Sequence, residues 1–187
     1  MCFNSKFSSF KIIKFLTILI FIVYLYYFAI YKKQALKFLF ASFTNNQTNL
    51  FLISLLISLL CYLFFTTYIY QKTEPKTPVA NMPMETEGQF YYLIAYSVLL
   101  LSSLLFAPFV FNYAIFKDLD VSYIIQALSY LILFATIGII LLFNNTEFSL
   151  KTKKEKTTHI LVWIALFYFF IQISFLDIGF WLPKFLL

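Results

Sequence analysis

Residues 120–145 read DVSYIIQALSYLILFATIGIILLFNN. Between Val121 and Phe143 the run is apolar enough for hydrocarbon, and it is continuous where a half-buried strand would alternate. Inside a bilayer only helices and closed barrels satisfy their own backbone. The stretch therefore reads as a membrane-spanning helix. A span needs about 20 residues to cross a hydrocarbon core of about 30 Å. Four other stretches meet that length. Spans are expected near 11–31, 50–70, 91–114, 122–143 and 160–182. The expected fold is an all-α membrane protein, a polytopic bundle of about five transmembrane helices forming one membrane domain over 1–187.

Composition points the same way. Of 187 residues 62% are hydrophobic and 12% charged, whereas soluble domains are about half apolar and a quarter charged. Phe occurs 26 times, Tyr 14 times and Gly 3 times, and all 14 basic residues are lysine. Membrane physics accepts Arg and Lys alike as interfacial anchors. The excess of Phe, Tyr, Ile, Asn and Lys instead follows A/T-rich codons and implies an AT-rich organelle or small bacterial genome. The net charge of +6 sits in short stretches beside apolar spans, with no guanidinium fork for phosphate or base; no nucleic-acid partner is expected. Cys2 and Cys61 have neither metal spacing nor a disulfide framework.

The basic start and the apolar run from Ile12 to Ile30 resemble a signal peptide, but Tyr31-Lys32-Lys33 follows in place of a small-residue cleavage site. The segment is expected to be retained, with no cleavable presequence. Residues 32–49, 71–89, 115–121 and 144–159 are expected as loops, the second because of its three prolines. Five spans would place Lys6, Lys11, Lys14, Lys72, Lys76, Lys151, Lys153, Lys154 and Lys156 on one side. Lys32, Lys33, Lys37, Lys117 and Lys184 fall on the other. The positive-inside rule then puts the N-terminus in the cytoplasm or matrix.

The polar residues of the spans need a reason to be there. Ser122, Ser129 and Thr136 fall seven apart, with Gln126 between them and Gly138 following, and so form a stripe on one face of a helix. Small and polar residues let neighbouring helices approach, so the stripe reads as a packing face. The sharper alternative is a hydrated proton path holding Gln126 and Tyr130. Asp120 reads as an N-cap of the 122–143 helix, or else as a proton entry group. Pro108 removes a backbone donor and is expected to kink its span, freeing the Leu104 carbonyl near Ser102 and Ser103. Asp177, near Gln172, is an intramembrane acid whose obvious intrachain partner is Lys184; with Trp181 these read as interfacial anchors. His159 is expected at the surface. Nucleophile–base pairs, phosphate loops and metal clusters are missing from the pattern, so no catalytic site is expected.

Taken as a unit, residues 96–145 resemble the membrane subunit 6 of respiratory complex I, the NADH:quinone oxidoreductase. Two spans are joined by a short link ending in an acid, Asp120; Gln126 and Tyr130 follow, and the apolar run ends at Asn144-Asn145. The family's glycine two residues after the tyrosine is Ile132 here, and the nearest glycine is Gly138. The resemblance implies a membrane subunit that supports proton translocation through the 122–143 helix, with a π-bulge near Tyr130. It implies residence in the mitochondrial inner membrane, or a bacterial cytoplasmic membrane, among other membrane subunits. This chain would bind no redox cofactor, and structural lipids such as cardiolipin would surround it. The alternative expectation is a lineage-specific accessory subunit of cytochrome oxidase, ATP synthase or a supercomplex. A small transporter is a further alternative.

Overall fold

A computed structural model describes residues 9–73, 83–117, 119–146, 148 and 150–186. The regular structure in these residues is helical throughout. Helices α1 (Ser9–Leu39), α2 (Asn45–Thr73), α3 (Pro83–Phe116), α4 (Leu119–Asn145) and α5 (Lys153–Ile171) follow in order. The last helix then widens into a π-helix (Gln172–Trp181) and tightens again as α6 (Leu182–Leu186). The chain is an all-α polytopic bundle. Asn45–Lys72, Tyr91–Ala114, Leu119–Asn145 and Lys153–Leu186 are each long and apolar enough to cross a membrane. The described apolar part of α1, Ile13–Tyr27, is shorter.

The helices outrun the spans expected from sequence, and the connections shrink accordingly. The expected loop at 32–49 is mostly helix, because α1 continues to Leu39 and α2 begins at Asn45. A helix leaving lipid can continue in water, where lysines are good helix formers. The α2 start is fixed by a reciprocal pair that the sequence TNNQ already contains: the Gln47 N–H donates to Thr44 Oγ1 at 3.3 Å, and the Thr44 N–H donates to Gln47 Oε1 at 3.1 Å. This is a capping box. A second one, Thr152 with Glu155, starts α5. The expected loop at 71–89 is helical up to Thr73 and again from Pro83; proline is well suited to the first helical position, where its missing N–H costs nothing. Residues 74–82 lie outside the described residues.

Helix α3 lies between α1 and α4, while α2 pairs with α5. Aromatic clusters close both ends of the bundle. At one end Phe143 stacks on His159 at 5.0 Å and meets Trp163 edge-on at 5.0 Å. His159 also bonds the Tyr68 hydroxyl across 3.2 Å, so it is wedged among rings and is not the free surface residue expected. Here Lys72 Nζ donates to Glu155 Oε1 at 2.6 Å, the one ion pair among the described residues. At the other end Trp181 stacks on Phe185 at 4.6 Å and donates from Nε1 to the Leu39 carbonyl at 3.2 Å. Ser42 donates to the Lys184 carbonyl at 3.0 Å beside it. The α3–α4 link turns at Lys117, whose φ of 53° is left-handed. Its N–H reaches the Tyr113 carbonyl at 2.9 Å, and its ammonium sits 4.8 Å above the Tyr113 ring.

Candidate functional site

Residues 54, 58, 62 and 66 of α2 are Ser, Ser, Tyr and Thr. Polar residues four apart lie one above another on a helix, so they form an inward stripe; Ser58, Tyr62 and Thr66 are buried. Tyr62 bonds Thr17 of α1 at 3.0 Å. One turn further along α2, Thr66 Oγ1 is buried, as is the Tyr96 hydroxyl of α3.

The stripe begins at Ser54, which ties α2 to both α5 and the π-helix. Ser54 Oγ bonds Tyr168 OH of α5 at 2.8 Å and donates to Gln172 Oε1 of the π-helix. Its single proton is thereby committed to Gln172, so Tyr168 is the donor to Ser54. Gln172 Nε2 in turn donates to Asp177 Oδ1 at 2.8 Å. Gln172 is 1% exposed, a fully buried amide. Both ends of this amide are satisfied, as a buried polar group requires.

Backbone geometry makes this chain of bonds possible. In an α-helix, residues five apart point about 140° away from each other, at 3.6 residues per turn. The i→i+5 bonding of a π-helix brings them to one face. The Leu182 N–H reaches back five residues to the Asp177 carbonyl, and the Gln172 and Asp177 side chains meet across the same interval. The widened turn also fits Gly179 closely, since a Cβ there would lie 3.3 Å from the Ser174 carbonyl.

The residues singled out from sequence divide into groups. Ser122, Ser129 and Thr136 are buried along α4, and Gly138 approaches Ala95 of α3, where an added Cβ would sit 4.0 Å from the alanine Cβ. The hydroxyls of Ser129 and Thr136 turn back on their own helix, to the carbonyls of Ile125 and Ile132. Gln126 is half-buried, while Asp120 and Tyr130 are exposed, Tyr130 at 49%. Gln126 and Tyr130, four apart on α4, are neighbours along the helix. Asp120 lies inside the first turn of α4, which starts at Leu119, so its charge faces the helix dipole from a position past the expected N-cap. Helix α4 is α-helical along its whole length; the π geometry belongs to the last helix.

Pro108 lies within α3, which is helical on both sides of it. Ser103 bonds the Leu99 carbonyl at 2.7 Å, and the Ser103 carbonyl accepts the Tyr24 hydroxyl of α1 at 3.3 Å. Neither bond involves Leu104, where a freed carbonyl was expected. Asp177 takes Gln172 as partner, whereas the Lys184 ammonium lies 4.3 Å above the Phe180 ring and 5.0 Å above Phe43. Trp181 is buried between α1, α2 and α3.

No family model, curated protein or solved structure matches this chain. The functional reading consequently rests on geometry and on the resemblance of residues 96–145. Sequence reasoning noted Gln172 but missed Ser54 and Tyr168. The every-fourth spacing of Ser54, Ser58, Tyr62 and Thr66 was the available signal for α2.

Proposed function

We propose that this chain is a membrane subunit of a respiratory-chain complex, a divergent counterpart of complex I subunit 6 that supports proton translocation. The α3–α4 hairpin carries the reading. Its two spans pack on each other, Ser122, Ser129 and Thr136 are buried along the second, and a short link beside Asp120 closes it. Tyr123, Tyr130 and Phe134 are left on the outward face, where a neighbouring subunit can meet them. This is the order of spans, acid, glutamine and tyrosine that the resemblance requires. Proton handling within the chain is best supported at the last helix, where an intramembrane acid is bonded into a polar chain; such acids mark proton relays.

The assembly would lie in the mitochondrial inner membrane, with a bacterial cytoplasmic membrane as the alternative. The nine lysines on the side of the N-terminus favour the matrix for that end. Other membrane subunits and lipids, cardiolipin among them, are the partners. Redox cofactors would sit in those partners.

A second reading, an accessory subunit without proton chemistry, is favoured by the small share of each span that the chain covers itself: 28–33% of the best apolar window is buried. The rest faces lipid or other subunits. Gentle detergent extraction of native membranes, separation of intact complexes and mass spectrometry of each band tests the first reading. Co-migration with NADH dehydrogenase activity is expected. Co-migration with an oxidase or ATP synthase would overturn it in favour of the second.

A further inference from the structure

Four side chains from α2, α5 and the π-helix form one unbranched run: Tyr168 to Ser54, Ser54 to Gln172, Gln172 to Asp177. The acid at its end meets a neutral amide and, among the described residues, no cation. Groups facing it from the surrounding elements are few. Tyr24 of α1 lies within electrostatic range; α2 brings Ser54, and α5 brings Tyr168. The neighbouring cluster from α4 contains Val121 and Ile125, which are apolar. Lys184 of α6 directs its ammonium to aromatic rings.

We propose that Asp177 and Gln172, with Ser54 and Tyr168, form a proton-binding site inside the bundle whose hydrogen-bond chain reverses direction when the carboxyl gains a proton. The inference deepens the proton-translocating role above and rests on it for its purpose, but not on which complex holds the chain. With Asp177 ionised, only the Nε2 end of Gln172 suits the carboxylate. Oε1 is then left to accept from Ser54, and Ser54 accepts from Tyr168. This is the arrangement in the structure. A proton arriving from water forms an O–H bond on Asp177 and turns the carboxyl into a donor. The Gln172 amide then turns over, so that Oε1 accepts from Asp177 and Nε2 donates to Ser54. Ser54 in turn donates to the Tyr168 oxygen. No covalent bond changes except the carboxyl O–H.

The π-helix is what holds acid and amide together. Relaxing it to an α-helix would swing the two side chains about 140° apart and release the site. Proton occupancy and backbone register are thus coupled in one element. A π-turn at such a position is a recurrent feature of functional sites.

The test is infrared difference spectroscopy of the full chain in phosphatidylcholine vesicles as pH is stepped. A carboxyl carbonyl band that titrates together with a side-chain amide band is expected. The carboxyl band should vanish in Asp177→Asn, and the amide band in Gln172→Leu. Ser54→Ala should keep the carboxyl band but move its midpoint by about one pH unit, the scale of one lost hydrogen bond to a charged network. Asp177→Glu keeps a carboxyl in the fold and should displace the band. Identical spectra for the native chain and Asp177→Asn would overturn the site. So would an Asp177 band that titrates without any amide change and with an unmoved midpoint in Ser54→Ala. These readings concern the isolated chain, so they stand or fall separately from its co-migration with a respiratory complex.

Discussion

Gln172 and Asp177 are hydrogen-bonded across 2.8 Å although they stand five residues apart on one helix, a pairing that α-helical geometry forbids and π-helical geometry creates. The bond ties a local backbone state to the partnering of a half-buried acid. Disturbing either partner should therefore disturb both.

Gln172→Leu is expected to be the most damaging conservative-volume change in the last helix. It leaves Asp177 and the Ser54 hydroxyl without their shared partner, a cost of about 2 kcal/mol. Ser54→Ala removes less, about 1 kcal/mol, in line with interhelical hydrogen bonds in membranes. Unfolding in mixed detergent micelles, followed by circular dichroism, measures both. Equal stability of Gln172→Leu and the native chain would contradict the polar chain described here.

The two well-placed glycines should respond in opposite ways to alanine. At Gly138 the new methyl meets Ala95 at 4.0 Å, ordinary van der Waals contact. Gly138→Ala is expected to be neutral or to stabilise by up to about 1 kcal/mol through helix propensity. At Gly179 the methyl would press on the Ser174 carbonyl at 3.3 Å, so Gly179→Ala should destabilise the π-turn. The same micelle assay ranks them, and a reversed order would show the π-turn to be looser than drawn.

Tyr130→Phe should leave the isolated chain unchanged within about 0.5 kcal/mol, because the side chain is exposed and surface substitutions away from special features are usually that mild. Lowered proton pumping by an otherwise normally assembled complex would then locate the role of Tyr130 in a contact with another subunit. A substantial loss of stability in the isolated chain would instead mean that the hydroxyl has a partner within the bundle.

The Lys72–Glu155 pair gives a pH signature at the membrane edge. A rod of 34 residues at 1.5 Å each is longer than a hydrocarbon core of about 30 Å, so the first turn of α5 stands outside the core. The bond from Lys72, with the backbone N–H groups of Thr152 and Lys151, pulls the Glu155 carboxyl down from its ordinary 4.5 to about 2. A depressed carboxyl contributes stability above its unfolded value and loses it as pH falls through the folded one. The tie between α2 and α5 should thus be complete above about pH 4.5 and gone near pH 2. A fluorescence pair placed on the two helix ends should separate over that window in the native chain. Glu155→Gln should show no such step.

The class of fold was legible because continuous apolar runs in 120–145 and its four counterparts leave no alternative in lipid. Helix ends were less so. Lys32 and Lys33 look like loop signals, yet water supports a helix there as readily as lipid does. The boxes TNNQ at 44–47 and TKKE at 152–155 mark true starts inside stretches that were expected as loops. The buried stripe of α4 could be traced from Ser122, Ser129 and Thr136, while the stripe of α2 was equally regular and went unnoticed. The π-helix left no local mark. Gln172 and Asp177 at a spacing of five look unrelated until the backbone widens, and the widened element packs against α2 and α4, contacts that no window of sequence contains.

The bonds from Trp181 to Leu39 and from Ser42 to Lys184 each join residues 142 apart. The corner between the first two helices therefore stays open during synthesis until residues 181–184 emerge. Insertion can proceed helix by helix, but closure of this corner waits for Trp181 and Lys184. Until then the half-built corner offers its rings and carbonyls to whatever insertion factor or neighbouring subunit reaches it first.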